Sequence, residues 1–274
     1  MSVNPIIHDI TTRELHAMDD LNATIDLQKA VWQMQGNECS SAYIQNAIIH
    51  NGGNVLCAEH EGKMVGFCLG FPAKRGKELW LWSHMAGVLP EYQGHGIGLL
   101  LKLKQRSWAL DNGYSVIGWT FDPMQRGNAN FNLRQLGAIA NKYYVNHYGE
   151  MKDGINAGLA SDRLEAYWEL QNPRVIAVAN GSTVDPTPID RNLFVVRYVG
   201  GDDVIYEMPT YLKNDQYWIE IPRKISTLKQ TNLALAQDWQ LVVRKAIVHL
   251  LSEGFVATDF ISESETCAYR FTRA

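Results

Sequence analysis

The sequence lacks any apolar run that approaches the ~18 to 20 residues needed to cross a bilayer. Its first residues, MSVNPIIHDITTREL, also lack the charged stretch followed by an apolar stretch that is typical of a secretory signal. We therefore expect a cytoplasmic protein with no membrane partner.

Cysteine is scarce and follows no pattern. The four cysteines, Cys39, Cys57, Cys68 and Cys267, form neither a C-x-x-C pair nor the spacing of a metal-ligand set. Because disulfides are rare in a reducing compartment, we expect four reduced, structural thiols and no bound metal.

Concentrated positive charge is absent as well. The formal net charge is −4 and the Lys and Arg residues are scattered, so no nucleic-acid partner is predicted. The chain has 274 residues, 46% hydrophobic and 20% charged. This composition is typical of a globular protein with one large domain or two moderate ones.

Hydrophobic periodicity predicts two helices followed by a strand meander. Leu21, Ile25 and Trp32 recur at helical spacing, and a second helical pattern follows the candidate N-cap Ser41. The stretches NVLCAEHEGKMVGFCLGFP and KELWLWSHMAGVLP come next and are rich in β-branched and aromatic residues. Turn signals occur at Glu61-Gly62, within the first stretch, and at Arg75-Gly76, between the two stretches. They predict an antiparallel meander of three strands.

Three glycines at alternate positions precede a long helical pattern in YQGHGIGLLLKLKQRSW, residues 92–108. The helix is predicted to end at Asn112-Gly113, and the buried strand YSVIGWTF follows it. A helix start leaves backbone N–H groups unpaired, and glycine lets a phosphate approach them, so the order strand, glycine turn, helix, strand predicts a phosphate or pyrophosphate site. The alternative is a tight turn that uses glycine only for its positive φ.

The glycine spacing fits neither of the common nucleotide motifs. A P-loop needs G-x-x-x-x-G-K-[ST], and a dinucleotide fold needs G-x-G-x-x-G with an acidic residue about 20 positions later. The stretch from Gly94 to Gly98 supplies neither spacing.

Residues 93–98, QGHGIG, resemble the Q/R-x-x-G-x-G/A signature of the GNAT superfamily of N-acetyltransferases, and residues 88–92, VLPEY, resemble the V-x-P-E-Y that precedes it. The resemblance covers roughly residues 5 to 150. It implies an α/β (α+β) fold with a mixed, mostly antiparallel sheet flanked by helices. It also implies acetyl-CoA or another acyl-CoA as cosubstrate.

The implied function is an acyl-CoA-dependent N-acyltransferase that moves an acetyl or other short acyl group to a small-molecule amine. The segments SHMAGVLPEYQGHGIG, GWTFDP, NANFNLRQLGA, SDRL and DWQLVVRKA are similar to a branch of the superfamily associated with N-acylamino-acid racemases. That narrower resemblance suggests the α-amine of an amino acid as the acceptor.

The resemblance also implies where acyl-CoA binds. Its pyrophosphate would lie on the backbone N–H groups from Gln93 to Leu99, and its pantetheine arm would extend the sheet beside residues 85–88. The candidate cofactor-binding residues are Met85, Ala86, Gly87, Val88, Gln93, Gly94, His95, Gly96, Ile97, Gly98, Leu99, Asn128 and Phe131.

The reaction is attack of a neutral amine on a thioester through a tetrahedral oxyanion. Deprotonating a lysine-like amine at neutral pH costs ~4 kcal/mol, whereas an α-amine costs only ~1 to 1.5 kcal/mol. The resemblance places the oxyanion donor at the backbone N–H of Val88. Counting by twos, His84 shares a strand face with Trp82 and Ala86. Members of the family often carry a catalytic glutamate on this face, so the resemblance makes His84 a candidate base, with a hydrogen-bonded core histidine as the alternative.

Two further polar residues are candidates for the acceptor site. Asp122 could accept a proton or hold the substrate ammonium, although Asp before Pro also initiates turns. Arg163 could clamp a carboxylate, although a surface ion pair with Asp162 or Glu165 is the alternative. Trp119 is a second candidate substrate-binding residue.

The usual general acid of the family is missing. Aligning Ala129 and Gly137 with the family pattern puts Leu133 at the tyrosine position and Arg126 at that of the asparagine. A thiolate with a free pKa near 8.5 gains little from protonation near neutral pH, so transfer does not require this tyrosine. The replacement hydroxyls would be Tyr143, Tyr144 or Tyr148, whose alternative role is packing.

The missing tyrosine also favours an alternative function, a non-catalytic acyl-CoA-binding sensor or regulatory protein. An unrelated nucleotide-binding protein is the third hypothesis. The sequence names neither the acyl group nor the acceptor, and it leaves a homodimer open.

A shift in composition toward Pro, Gly, Asn and Thr suggests the domain organisation. We expect an acyl-CoA-binding domain over residues 1–170, a connection over 171–189 and a second, smaller α/β unit over 190–274. The second unit repeats the order strand, turn, helix, strand, but its predicted turn KISTLKQTN contains no glycine. We therefore expect a degenerate half that closes the acceptor pocket and binds no second CoA.

Overall fold

The structure is a computed structural model that describes residues 9–36, 38–149, 158–183, 188–200, 203–209, 211–264 and 266–274. The chain divides into two compact units. The first unit comprises Met1–Trp119 with Glu169–Gln171, and the second comprises Thr120–Trp168 with Asn172–Ala274.

The strands are β1 (Ile10–Glu14), β2 (Asn54–His60), β3 (Lys63–Arg75), β4 (Glu78–Val88), β5 (Val116–Phe121), β6 (Ile139–Tyr144), β7 (Arg163–Glu169), β8 (Phe194–Gly200), β9 (Asp203–Tyr206), β10 (Gln216–Glu220), β11 (Phe255–Ser262) and β12 (Cys267–Arg273). The helices are α1 (Met18–Trp32), α2 (Ala42–His50), α3 (Ile97–Asp111), α4 (Arg126–Ala129), α5 (Pro173–Ala179), α6 (Ile225–Thr231) and α7 (Leu233–Ser252). This is the mixed α/β fold with a mostly antiparallel sheet flanked by helices that the sequence predicted. No helix within the described ranges is long and apolar enough to cross a membrane.

The first unit contains the predicted meander. Strands β2, β3 and β4 pair antiparallel in sequence order, and β4 pairs parallel with β5. The sequence prediction missed β1, which pairs antiparallel with β2 at the start of the unit. Its sequence, ITTRE, is short and mostly polar, so it gives a weak strand signal.

Helix α3 begins at Ile97 and ends just before Asn112-Gly113, as its sequence signals predicted, and α1 and α2 contain the residues whose helical spacing predicted them. The Ser41 hydroxyl accepts a hydrogen bond from the Ile44 N–H (3.4 Å), which confirms the predicted N-cap of α2. Leu21 of α1 and Leu101 of α3 are buried in one core with Phe67 of β3. Each fully buried side chain of this kind contributes about 1.5–3 kcal/mol of transfer free energy, so these contacts hold the helices on the strands.

The second unit holds the remaining strands and four helices in its described part. Strand β12 lies between β11 and β10 and pairs antiparallel with both, whereas β8 pairs parallel with β10. The strands that precede and follow α7, β10 and β11, are thus separated by β12. The strands that precede and follow α3, β4 and β5, are direct neighbours, so the strand pairing around the two helices differs. The likeness of the second unit to an acetyltransferase half, and the predicted domain boundaries, remain predictions.

Two segments that the sequence assigned to turns or connections contain helices. KISTLKQTN was predicted as a turn, but Ile225–Thr231 within it forms α6. Leu228, Lys229 and Gln230 are good helix formers and the segment has neither Gly nor Pro, so its sequence is compatible with a helix. The predicted connection 171–189 contains α5, which begins at the N-cap Asn172 with Pro173 in its first turn.

Candidate functional site

Strand β4 contains a one-residue bulge at His84. The pairs with β3 run Leu69–Met85 and then Gly70–Ser83, so His84 is the extra residue. A bulge changes the alternation of side chains along a strand. Counting by twos across this point is therefore unsafe.

The bulge determines which residues of β4 share a strand face with His84. Its ring contacts Phe71, which lies opposite Trp82, with ring centroids 5.6 Å apart. Ala86 lies opposite Cys68. Cys68 and Phe71 are an odd number of residues apart on β3, so their side chains, and those of the residues opposite them, lie on different faces of the sheet. His84 thus shares a face with Trp82 as predicted, but the expectation that it shares one with Ala86 was wrong because of the bulge.

The environment of His84 suits a neutral imidazole. The residue is exposed, so it is not the core histidine of the alternative interpretation. Surrounding protein nevertheless desolvates the ring in part and lowers the pKa of His84 below its ordinary value. The neutral ring is the form that could accept a proton.

At Leu81 and Trp82, strand β4 is paired along both of its edges, and after Trp82 it is paired along the edge that faces β3. Its ladder with β5 consists of the pairs Leu81–Ile117 and Trp82–Gly118. From residue 83 to residue 88, all of which are described, the cross-strand pairs are with β3. The other edge can accept an extended chain by main-chain hydrogen bonding.

The glycine loop joins this strand to α3. A 3₁₀ turn, Pro90–Tyr92, follows the strand, and the Tyr92 hydroxyl lies 3.2 Å from Nδ1 of His60 on β2. Gly94 and Gly96 have φ values of 79° and 82°, which other residues rarely adopt. Both the tight-turn interpretation and the backbone-donor interpretation are therefore compatible with the loop.

Gly96 is the N-cap residue of α3, and no side chain caps the helix there. The first N–H groups of an α-helix have no partner within the helix and carry the positive end of its dipole. Such a helix start binds anions. The predicted cofactor residues from Gln93 to Leu99 form this loop and first turn.

A buried lysine close to β4 was missed by the sequence reasoning. Lys102 of α3 is 3% exposed, and its ammonium donates to Oγ of Ser83 (2.9 Å) and Oε1 of Gln105 (2.8 Å). It also lies 4.1 Å from the centroid of the Trp119 ring. Trp119, a predicted substrate residue, is 8% exposed and packs on this lysine.

The other predicted residues lie in the second unit. Asp122 accepts a hydrogen bond from the Met124 N–H (2.8 Å), as a turn-initiating Asp does, and burial raises its pKa above the ordinary value. Asn128 is exposed in α4. Phe131 lies in a π-helical segment, Asn130–Gln135, that follows α4, and Leu133 of the same segment is fully buried.

Arg163 is held by two neighbours in the second unit. Its Nη1 donates to the carbonyl oxygen of Asp162 (3.0 Å), and its guanidinium lies 5.2 Å from the Tyr148 ring centroid. The Asp162 carboxylate binds Arg244 and the Tyr143 hydroxyl, each at 2.7 Å.

The tyrosines proposed as general acids differ in their surroundings. Burial, followed by the Asp162 carboxylate, raises the pKa of Tyr143 well above its ordinary value. The Tyr144 hydroxyl donates to Glu165 (2.6 Å), and burial together with that carboxylate raises its pKa. These bonds favour the packing role for both residues, while Tyr148 is 52% exposed.

Residues 21–138 match the sequence model of the acetyltransferase (GNAT) family. No curated protein matches the chain, and the narrower resemblance to the racemase-associated branch is not supported. Groups of three or more His, Cys, Asp or Glu that could hold a metal are not found among the described residues, and the expectation of no metal remains a prediction.

Several solved structures are similar to part of the chain. The protein YncA from Salmonella typhimurium, with its cofactor acetyl-CoA, is 16% identical with a TM-score of 0.48, covering 60% of this chain and 95% of its own. A GNAT-family acetyltransferase from Desulfovibrio desulfuricans is 14% identical with a TM-score of 0.45, covering 59% and 99%. An aminoglycoside acetyltransferase from an uncultured soil metagenomic sample, in complex with sisomicin, is 20% identical with a TM-score of 0.38, covering 43% and 81%.

Proposed function

We propose that this chain, whose residues 21–138 match the sequence model of the acetyltransferase (GNAT) family, is a GNAT-type acyl-CoA N-acyltransferase that acts on a small-molecule amine. The acyl group in this proposal is acetyl or another short acyl group. The observation that carries the proposal is the glycine loop between β4 and the uncapped start of α3.

The loop fits the pyrophosphate of acyl-CoA. Ile97, Gly98 and Leu99 form the first turn of α3, where the backbone N–H groups can donate to a phosphate. Gly94 and Gly96, with positive φ values, form the loop before this turn and have no side chains that would block the phosphate. The edge of β4 from Met85 to Val88 would take the pantetheine arm. When bound, acyl-CoA supplies an activated thioester carbonyl.

The first unit also offers a base and an electrostatic donor. His84 would accept the proton of the attacking amine, because its lowered pKa keeps the imidazole neutral. The N–H of Val88 would stabilise negative charge on the carbonyl oxygen. With one exposed imidazole as base, an amine that is already partly neutral is the better acceptor, and this favours an α-amine over a lysine side chain.

In the second unit, Asp122 and Arg163 are the proposed acceptor-binding residues. Arg163 presents a planar guanidinium that can bind a carboxylate through two parallel hydrogen bonds. Asp122 would hold the acceptor amine. Asn128 and Phe131 stay proposed as cofactor contacts, and the cytoplasmic location and the homodimer remain predictions from the sequence.

Release of CoA thiol with a panel of amines tests the function. The panel would contain amino acids, their methyl esters, simple aliphatic amines and a lysine-containing peptide, each with acetyl-CoA and with a longer acyl-CoA. We expect the highest kcat/KM with small α-amines, and a higher value for amino acids than for their esters if Arg163 binds a carboxylate. Arg163→Gln should abolish that preference for the free acid and leave CoA affinity unchanged.

Three results would contradict the proposal. Exclusive acylation of the peptide lysine would refute the small-molecule acceptor. Tight binding of acyl-CoA with no thiol release for any amine would favour the sensor. Unchanged amino-acid preference in Arg163→Gln would remove Arg163 from the acceptor site.

A further inference from the structure

The Lys102 ammonium links three elements of the first unit, α3, β4 and β5. Its ammonium, on α3, donates to Ser83 of β4 and lies over the Trp119 ring of β5. It also donates to Gln105 one helical turn further along, and the Gln105 amide donates to Oδ1 of Asn54 on β2 (3.3 Å). All five side chains are at most 8% exposed.

The contact with β4 lies where the strand changes its pairing. Ser83 follows Trp82, whose pair with Gly118 is the last of the β4–β5 ladder, and it precedes the bulge residue His84. A bulge disrupts the ladder locally and bends the strand. The Lys102 ammonium therefore holds β4 to β5 through side chains where the main-chain ladder ends.

Burying the charged form of a lysine at this position costs free energy. Burial lowers the pKa of Lys102 to about 7, because the charged form loses its hydration. The Cys68 thiol acts in the opposite direction and raises the pKa of Lys102, but its own burial raises the thiol pKa to about 12, so this thiol carries little negative charge near neutral pH. Packing alone would be served better by an apolar side chain of similar volume.

We propose that Lys102 is a positioning residue for the acyl-CoA strand: through Ser83 and Trp119 it fixes the bulge of β4, and so sets the geometry of His84 and of the strand edge from Met85 to Val88. This inference rests on the proposed acyl-CoA site. Lys102 would touch neither acyl-CoA nor the acceptor and would act only through Ser83 and Trp119.

The central variant is Lys102→Met, which keeps the length of the side chain and removes its charge. Lys104→Met on the same helix, at a less buried position, is the matched control. CoA affinity would be measured by calorimetry with CoA itself. Amide hydrogen exchange of residues 83–88 and of α2 would be measured without any ligand.

We expect Lys102→Met to weaken CoA binding about tenfold or more, because the strand edge from Met85 to Val88 would no longer be held in its binding geometry before the ligand arrives. Amide protection should fall over residues 83–88 and stay unchanged in α2, which none of the five side chains belongs to. Lys104→Met should match the wild type in both measurements. Ser83→Ala, which leaves the lysine in place, should reproduce the local loss of protection and tests the proposal even if Lys102→Met does not fold.

The readouts separate this inference from the proposed function. Failure of the wild type to bind CoA would refute the acyl-CoA site, while the exchange measurement would still test the role of Lys102 in β4. Unchanged protection over residues 83–88 in both variants would overturn the inference. An equal loss of protection in α2 and β4 would also overturn it, because that result indicates a general loss of stability.

Discussion

The side-chain amide of Gln93 donates a hydrogen bond to the carbonyl oxygen of Val88 (Nε2–O 3.0 Å). The glycine loop is thereby tied back onto the end of the strand that precedes it. The main chain adds a second tie, because the Leu89 N–H donates to Val65 on β3 (2.9 Å). The proposed pantetheine edge and the proposed pyrophosphate loop therefore have a fixed relationship before any ligand binds, which reduces the ordering cost of binding.

Replacing Gly96 by Ala should separate ligand binding from backbone strain. Gly96 and Gly113 lie at the two ends of α3 with φ values of 82° and 79°. A side chain in this conformation costs roughly 1–2 kcal/mol at either position, so Gly96→Ala and Gly113→Ala should lower the free energy of unfolding about equally. Only Gly96→Ala should weaken CoA binding, by about tenfold or more, as measured by calorimetry. Equal CoA affinity in the two variants would place the pyrophosphate elsewhere.

The glycine loop and α3 could be predicted because their signals are local. The glycines, the apolar stripe that follows and the terminal Asn112-Gly113 determine the turn and the helix with little help from other elements. The antiparallel meander was equally accessible, since each hairpin joins neighbours in sequence. Local signals also carried the resemblance to the family.

The parts that sequence reasoning missed depend on contacts between distant elements. The face of His84 follows from a bulge that appears only when β4 is paired with β3. Lys102 occurs within LLLKLKQ, where helical periodicity alone places a charged residue toward solvent. Its burial depends on Ser83 and Trp119, which come from two other elements.

Asp162→Asn should strongly destabilise the second unit. The Asp162 side chain is fully buried and binds Arg244 through two hydrogen bonds of 2.7 and 3.0 Å. Breaking a buried ion pair from one side leaves an uncompensated charge, so we expect a loss of about 3 kcal/mol in the free energy of unfolding, measured in urea. The exposed pair of Asp215 with Arg273 in the same unit is the control. Asp215→Asn should cost less than about 0.5 kcal/mol, and similar losses in the two variants would contradict the prediction.

His84 should give the reaction a pH limit below the ordinary histidine pKa. Partial desolvation of the ring lowers the pKa of His84 below the ordinary histidine value, so the neutral base persists as the pH falls, and kcat/KM should decline only below about pH 6.5. His84→Gln should remove this limb and lower kcat about 100-fold or more.

Stability gives an independent check on His84. The folded chain binds this proton less readily than the unfolded chain, so the contribution of His84 to stability decreases as the pH falls through 6.5. That decrease should be absent in His84→Gln. An acidic limb that survives in the variant would assign the base to another residue.

Lys102 should make the stability of the first unit rise with pH between its folded pKa of about 7 and its ordinary pKa of 10.5. Its folded pKa of about 7 lies below the ordinary value of 10.5, so between these limits the unfolded chain holds a proton that the folded chain has released. Stability then rises with pH across the window, by an amount on the order of 4 kcal/mol over its full width. Urea denaturation of the wild type and of Lys102→Met at pH 6, 8 and 9.5 measures the difference. We expect the variant to be at least as stable as the wild type at pH 6 and to lose that advantage progressively by pH 9.5. A constant difference between the two proteins across this range would show that the lysine does not titrate there, and that its ammonium stays charged among Ser83, Gln105 and Trp119.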